Sequence, residues 1–207
     1  MSEIRMQEKA IITDLPPAGK LSLAIDESDG QLYTIDSAGV VTKYFSPTTD
    51  SCRIGFADYN DSGVSTNLVA GVPLTLTNDE AGSFTNKTYL PTGVTDVWDT
   101  GTGLFDWSEL KLGDMVDIRI DLFLTTTSVN TSVNVDLNLG TGAGSYVIPF
   151  VTDNDYKAAG SHEIIVYNGI YMGDANTLDN GGYFTMTSDK NASIIVNGWY
   201  CKILIRG

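Results

Sequence analysis

Residues 116–139 read VDIRIDLFLTTTSVNTSVNVDLNL. Val116, Ile118, Ile120, Leu122 and Leu124 fall on alternate positions, with Asp117, Arg119 and Asp121 between them. Successive side chains of a β-strand point to opposite faces, so this run has one apolar face and one polar face. Val133, Val135, Leu137 and Leu139 repeat the pattern against Asn134, Asp136 and Asn138. The polar stretch between the runs reads as a turn, so they are expected to pair as an antiparallel hairpin with one wet face.

Working outward, shorter apolar or alternating runs predict strands at 54–58, 72–77, 146–151, 162–172, 182–188 and 192–206. Asn197-Gly198 inside the last run is a hairpin signal that would divide it in two. Residues 78–107 form a long irregular stretch, and only WSEL at 107–110 invites a helical turn. Roughly eight or more strands separated by Gly, Asn and Asp turns predict an all-β chain with a jelly roll or related antiparallel sandwich. No fixed solenoid period is present.

Upstream the pattern changes scale. A charged lead-in holds a candidate short strand at 10–12, and Pro16-Pro17 then sets an extended path. KLSLAID, QLYTID and VVTKYF follow, joined by ESDG and by Ser37-Ala38-Gly39. This predicts a small β meander with too little core of its own. SPTTDS at 46–51 is the best linker. The expected organisation is an N-terminal β module at 1–50 and a jelly-roll sandwich at 52–207.

The chain has 207 residues, of which 42% are hydrophobic and only 18% charged. Thr, Ser, Asn and Gly supply the remaining polarity. The 12 basic and 26 acidic residues leave a formal charge of −14. Such a surface repels phosphate backbones and offers no polybasic patch to anionic lipid, so neither nucleic acid nor a membrane is an expected partner. MSEIRMQEKAIITD lacks the apolar core of a signal peptide, and no apolar run approaches membrane-spanning length. Synthesis in a cytoplasm without standard export is expected. The Asn-x-Ser/Thr triplets at Asn86, Asn130 and Asn191 then read as incidental. Cys52 and Cys201 have no metal-binding spacing. Cys201 reads as a small core residue, and a bridge between the two is left open.

Candidate chemistry is sparse. His162 is the sole histidine, and no Gly-x-Ser-x-Gly elbow accompanies it. Asp96, Asp99 and Asp106 lie beside Trp98 and Trp107, which reads first as loop turns, N-caps and packing aromatics, next as glycan contact and last as glycoside hydrolysis. Asp153-Asn154-Asp155 and Asp174, Asn176 and Asp179 offer oxygen ligands but match no EF-hand loop. Gly140 to Gly144 precedes no helix, so it reads as a turn and not a phosphate cradle. No catalytic residue, metal ligand or cofactor is expected. The late aromatics divide between faces: Trp199, Cys201, Ile203 and Ile205 alternate with Tyr200, Lys202, Leu204 and Arg206. Apolar groups on both faces predict a strand buried on one side and meeting a partner chain on the other. Tyr171, Tyr183, Tyr200 and Leu204 are the expected subunit-interface residues.

Pro17, Gly19, Asp29, Gly30, Leu32, Tyr33, Asp36 and Gly39 occur in an order that resembles a module of phage tail-fibre and head-fibre proteins, covering residues 15–44. That resemblance implies a trimer-forming or particle-attaching stem. Residues 72–206, through LTNDEAGSFTNKTYLPTGVTDVWD, LKLGDMVDIRIDL and VNGWYCKILIRG, more loosely resemble phage structural domains at fibre tips and in capsid decoration. Such tips often adopt jelly rolls similar to the tumour-necrosis-factor fold and assemble as trimers. The resemblance implies a non-enzymatic virion protein, made in the host cytoplasm. It would act as a homotrimer joined to other virion proteins through its N-terminal module. A host-surface glycan or protein would be a further partner, met by loop aromatics Tyr89, Trp98, Phe105 and Trp107. Two alternatives stand beside it: a capsid decoration protein that stabilises the particle, and a surface-polysaccharide depolymerase.

Overall fold

The computed structural model describes the backbone of residues 6–8, 17–19, 21–25, 32–45 and 53–206, and the side chains of 17–19, 34–41 and 53–206. The chain divides into two compact units, Met1–Ser51 and Cys52–Gly207. The expected strand at 10–12, the Asp29-Gly30 turn, the 46–51 linker and Cys52 lie outside the described residues.

In the first unit, β1 (Met6–Glu8), β2 (Leu21–Ile25), β3 (Leu32–Asp36) and β4 (Val41–Phe45) form one sheet in the order β1-β2-β3-β4. The β2-β3-β4 meander is antiparallel, and β1 adds to β2 in parallel. The β3–β4 turn is held by Asp36, whose Oδ1 accepts the N–H of Ala38 and of Val40 at 2.8 Å each. Gly39 supplies a φ of 79° that a side chain would disfavour.

The second unit is a two-sheet sandwich. Its short strands are β5 (Ile54–Asn60), β6 (Ser65–Leu68), β7 (Leu74–Thr75), β8 (Trp98–Asp99) and β9 (Leu104–Phe105). Its long strands are β10 (Met115–Thr126), β11 (Thr131–Leu139), β12 (Tyr146–Tyr156), β13 (Gly160–Tyr171), β14 (Gly182–Ser188) and β15 (Ala192–Leu204). One sheet runs β13-β10-β15-β5, with β6 also on β15. The other runs β12-β11-β14-β9-β8, with β7 also on β14. All pairings in both sheets are antiparallel. This is the jelly-roll-like sandwich that the strand spacing predicts.

The hairpin expectation for 116–139 is overturned. β10 pairs with β13 and β15, while β11 pairs with β12 and β14, so the two alternating runs sit in opposite sheets. The turn after β10 carries the chain across the core, with Asn130 at a φ of 52°. The alternation itself holds: Val116 to Leu124 and Val133 to Leu139 bury every second residue. Those two apolar rows are the facing walls of one core.

β15 is one strand and not two. Its register on β10 steps between Asp121–Gly198 and Leu122–Val196, so Asn197-Gly198 is a bulge. Gly198 is required there, because a Cβ would strike the Tyr59 carbonyl. WSEL forms a turn closed by Leu110 N–H to Trp107 C=O at 2.9 Å, not a helix. The one α-helix among the described residues is α1 (Ala175–Asn180), capped by Asp174 accepting from Thr177 N–H. The expected oxygen-ligand run 174–179 is therefore a helix cap and its turn.

Candidate functional site

The registers place several exposed apolar side chains together on the outer face of the β13-β10-β15-β5 sheet. Cross-strand pairing sets Tyr171, Met115, Leu204 and Ile54 in one row across all four strands. A second row holds Tyr167, Arg119, Tyr200 and Asp58. Ile165 and Tyr171 each keep 64% exposure, Tyr167 56% and Ile54 55%. Residues one place along each strand point into the core, so no local shift can hide this face.

Aromatic rings tie its β5 end together. Tyr89 stacks on Phe56 at 5.2 Å between centroids, and Phe56 stacks on Tyr200 at 5.9 Å. The Arg119 guanidinium lies 5.4 Å from the centre of the Tyr200 ring. Asp121 holds Arg119 through two hydrogen bonds of 3.0 and 2.9 Å. Lys202 lies 3.8 Å from Asp117. A hydrogen bond to the Asp117 carboxylate pushes the Tyr167 hydroxyl above its ordinary range, so it stays protonated. Burial raises the Asp58 carboxyl; Arg119 offsets part of this and the like charge of Asp121 adds to it.

The expected interface residues divide. Tyr171, Tyr200 and Leu204 share this face, whereas Tyr183 lies on β14 of the other sheet, paired with Asn138. Tyr89, expected to meet a ligand, is 56% exposed and joins the same face through Phe56. Sequence reasoning missed Phe56, Ile54, Met115 and Ile165. Their signal was an apolar residue on the nominally polar side of an alternating strand.

Three expected ligand-stacking residues are corrected. Trp98, Phe105 and Trp107 are 2%, 1% and 0% exposed. Phe105 stacks on Trp107 at 5.0 Å, and Trp98 meets Phe105 edge-on at 4.9 Å and Trp199 at 5.3 Å. Their loop folds inward because β8 and β9 pair and extend the second sheet through Phe105 to Gly182. Enclosed rings of this kind have no free face for a sugar.

The remaining candidates have local partners. His162 packs on the Tyr156 ring at 4.4 Å, and its Nε2 lies 3.2 Å from the Ala158 carbonyl. Asp99 accepts from Gly101 N–H and the Thr102 hydroxyl at 2.8 Å each, and Asp106 from Ser108 N–H at 2.9 Å. Gly140 and Gly142 have positive φ, and Asn176 bonds the backbone of Thr141 in that turn. No group of three or more His, Cys, Asp or Glu that could hold a metal is present among the described residues. Cys201 is a buried free thiol, and burial pushes its ionisation far up. A cleft of about 440 Å³ opens between β6 and β7, floored by Ile194 and Val196 and rimmed by Thr66, Thr75, Asp61 and Asp79.

No protein-family model matches this chain, and no curated protein matches its sequence. Several solved structures are similar to this chain at low identity. A structure of the Gx strain of infectious bursal disease virus is 12% identical, with a TM-score of 0.44 over 86% of this chain and 42% of that one. A mutant VP2 protein of the same virus, in T=1 particles, gives 10% identity and 0.42 over 92% and 40%. Eiger TNF from S. frugiperda gives 7% and 0.39 over 74% and 92%. The chain thus spans about two fifths of the viral chains it matches. At these scores the registers above, and not the likenesses, define the fold.

Proposed function

We propose that this chain is a non-enzymatic structural subunit of a virus particle, of the fibre, spike or head-fibre kind. Its copies assemble, as a homotrimer, through the outer face of the β13-β10-β15-β5 sheet. The observation that carries the assembly is a pair of rows on one face, Tyr171, Met115, Leu204 and Ile54 in one and Tyr167 and Tyr200 in the other. A face of exposed tyrosines and aliphatic residues with a few charges set among them fits a protein interface, and tyrosine contributes contact area at low entropic cost. The phage-like segment at 15–44 supports placing the first unit as the attachment to other virion proteins. The low charge density and the Thr- and Asn-rich surface fit a particle exterior.

Attachment to a host surface is the second part of the reading. The β6–β7 cleft supports it now that three of the four loop aromatics are buried. Its volume suits a small ligand, and its hydroxyl and carboxylate rim suits sugar hydroxyls. Weak single contacts would gain strength from many copies on one particle.

Light scattering on the purified protein tests the assembly. A mass near three times 22.3 kDa is expected. A monomer at all concentrations removes the trimer and favours a decoration protein that meets its partners only on the assembled capsid. Binding of the purified protein to host cells separately tests attachment.

A further inference from the structure

Lys87, Asp96 and Glu80 meet in the long connection between β7 and β8. Lys87 Nζ lies 2.5 Å from Asp96 Oδ2 and 2.7 Å from Glu80 Oε2. The other oxygen of Asp96 accepts three hydrogen bonds, from the Tyr59 hydroxyl at 2.9 Å, Val97 N–H at 2.9 Å and Trp98 N–H at 3.2 Å. Tyr59 is fully buried on β5, so this donor set is rigid. Oδ1 is therefore held as an acyl oxygen would be, and Oδ2 is left facing the amine.

Glu80 is the unusual member. It has a φ of 55°, the left-handed region that favours glycine. Neighbours enforce that conformation: Glu80 N–H donates to Asn78 Oδ1 at 2.8 Å, and the Thr85 hydroxyl donates to its carbonyl at 3.0 Å. The Glu80 side chain is only 15% exposed. The strained backbone thus sets a second carboxylate against a lysine that already has one.

We propose that Lys87 and Asp96 join through an amide bond that the protein forms by itself, with Glu80 relaying the protons. The reactants are an ammonium and a carboxylate, and the products are an amide and one water. Glu80 first takes a proton from Lys87 Nζ. Glu80 passes that proton to Asp96 Oδ2, the neutral amine attacks Cγ of the now uncharged carboxyl, and negative charge developing on Oδ1 is met by Tyr59 and the two backbone N–H groups. In all, two protons from Nζ pass through Glu80 to Oδ2, which leaves as water. Burial lowers the Lys87 ammonium, but the Asp96 and Glu80 carboxylates outweigh it and keep the amine protonated at rest. Proton transfer to Glu80 then gates a slow step, and contact geometry compensates through high effective molarity. The product is a covalent staple across the loop that borders β5, which suits a protein exposed outside a cell.

Mass spectrometry of the denatured full-length protein tests this. The expected mass is one water below that of the sequence, with the loss mapped to a branched peptide joining Lys87 to Asp96. Full mass with both peptides linear overturns the proposal, as does a lost water found on a linear peptide, which marks a succinimide. Lys87→Arg should restore the water. Glu80→Gln should also restore it in a protein whose near-ultraviolet circular dichroism is unchanged. Cross-linking that persists in Glu80→Gln overturns the relay.

Discussion

The two sheets of the sandwich turn different outer faces to solvent, although their central strands read alike. β10 alternates Asp117, Arg119 and Asp121 with its core residues, and β11 alternates Asn134, Asp136 and Asn138. Beside β10 stand Tyr167, Tyr171, Tyr200 and Leu204. Beside β11 stand Thr185 and Thr187, with Tyr183 and Val147 the larger apolar groups there. The first face is an aromatic surface with a few charges set into it, and the second is mostly a surface of amides, hydroxyls and carboxylates. A strand's own outward residues do not define its surface; the strands beside it do.

The comparison is broken most severely through the core that both faces share. Trp199→Ala or Leu137→Ala empties a fully buried site on one wall or the other. Each should cost about 2–5 kcal/mol in denaturant unfolding, with no preference between sheets. A cost confined to one wall would mean that the sheets do not share one core.

The next effect discriminates between faces. Tyr167→Glu combined with Tyr200→Glu should convert the assembled protein to monomer in light scattering, at about 2 kcal/mol or more per buried aromatic anchor. Asn138→Glu combined with Thr185→Glu, on the other sheet, should leave the mass unchanged. Equal loss from both pairs would assign assembly elsewhere.

A smaller effect comes from one carboxyl on each face. Burial raises both Asp58 and Asp136 above the usual carboxylate range. Assembly should bury Asp58 further and leave Asp136 as it is. The Asp58 titration midpoint, followed by NMR, should therefore rise with protein concentration while that of Asp136 stays fixed. Parallel behaviour would remove the distinction between the faces.

The smallest effect is on stability. An acid raised on folding binds its proton more tightly in the native state, so the charge penalty of Asp58 is fully present above its folded pKa. It fades as pH falls from there toward the unfolded value. Asp58→Asn should raise the thermal midpoint slightly at neutral pH, and the gain should shrink on mild acidification. A gain that grows in acid would reverse the assignment. Below that window Glu109 and Asp155 work in the opposite sense. Hydrogen bonds from Thr95 and from Lys157 hold them low, so their contribution is lost as they protonate.

Much of the fold was legible because alternation is a local property. The inward residues of β10, β11, β14 and β15 are the ones their spacing marks. α1 was not legible: ANTLDN has no apolar period, and only the Asp174 cap and Gly181 beyond its end mark it. The loop aromatics misled because Gly, Thr and Asp around Trp98, Phe105 and Trp107 are loop composition. Composition does not say whether a loop lies over the core or closes it.

By itself the sequence determined that this is an all-β chain, where most of its strands lie, and which side of each long strand is apolar. Those follow from backbone period and turn chemistry, which act over a few residues. Tertiary structure alone decided that β10 and β11 face each other across the core and are not partners. It also gathered Phe56, Tyr89, Tyr167 and Tyr200 onto one surface and brought Lys87 against Asp96 and Glu80. Contacts between distant segments depend on which strand is hydrogen-bonded to which. Side-chain period leaves that choice open, and the closing of a shared core makes it.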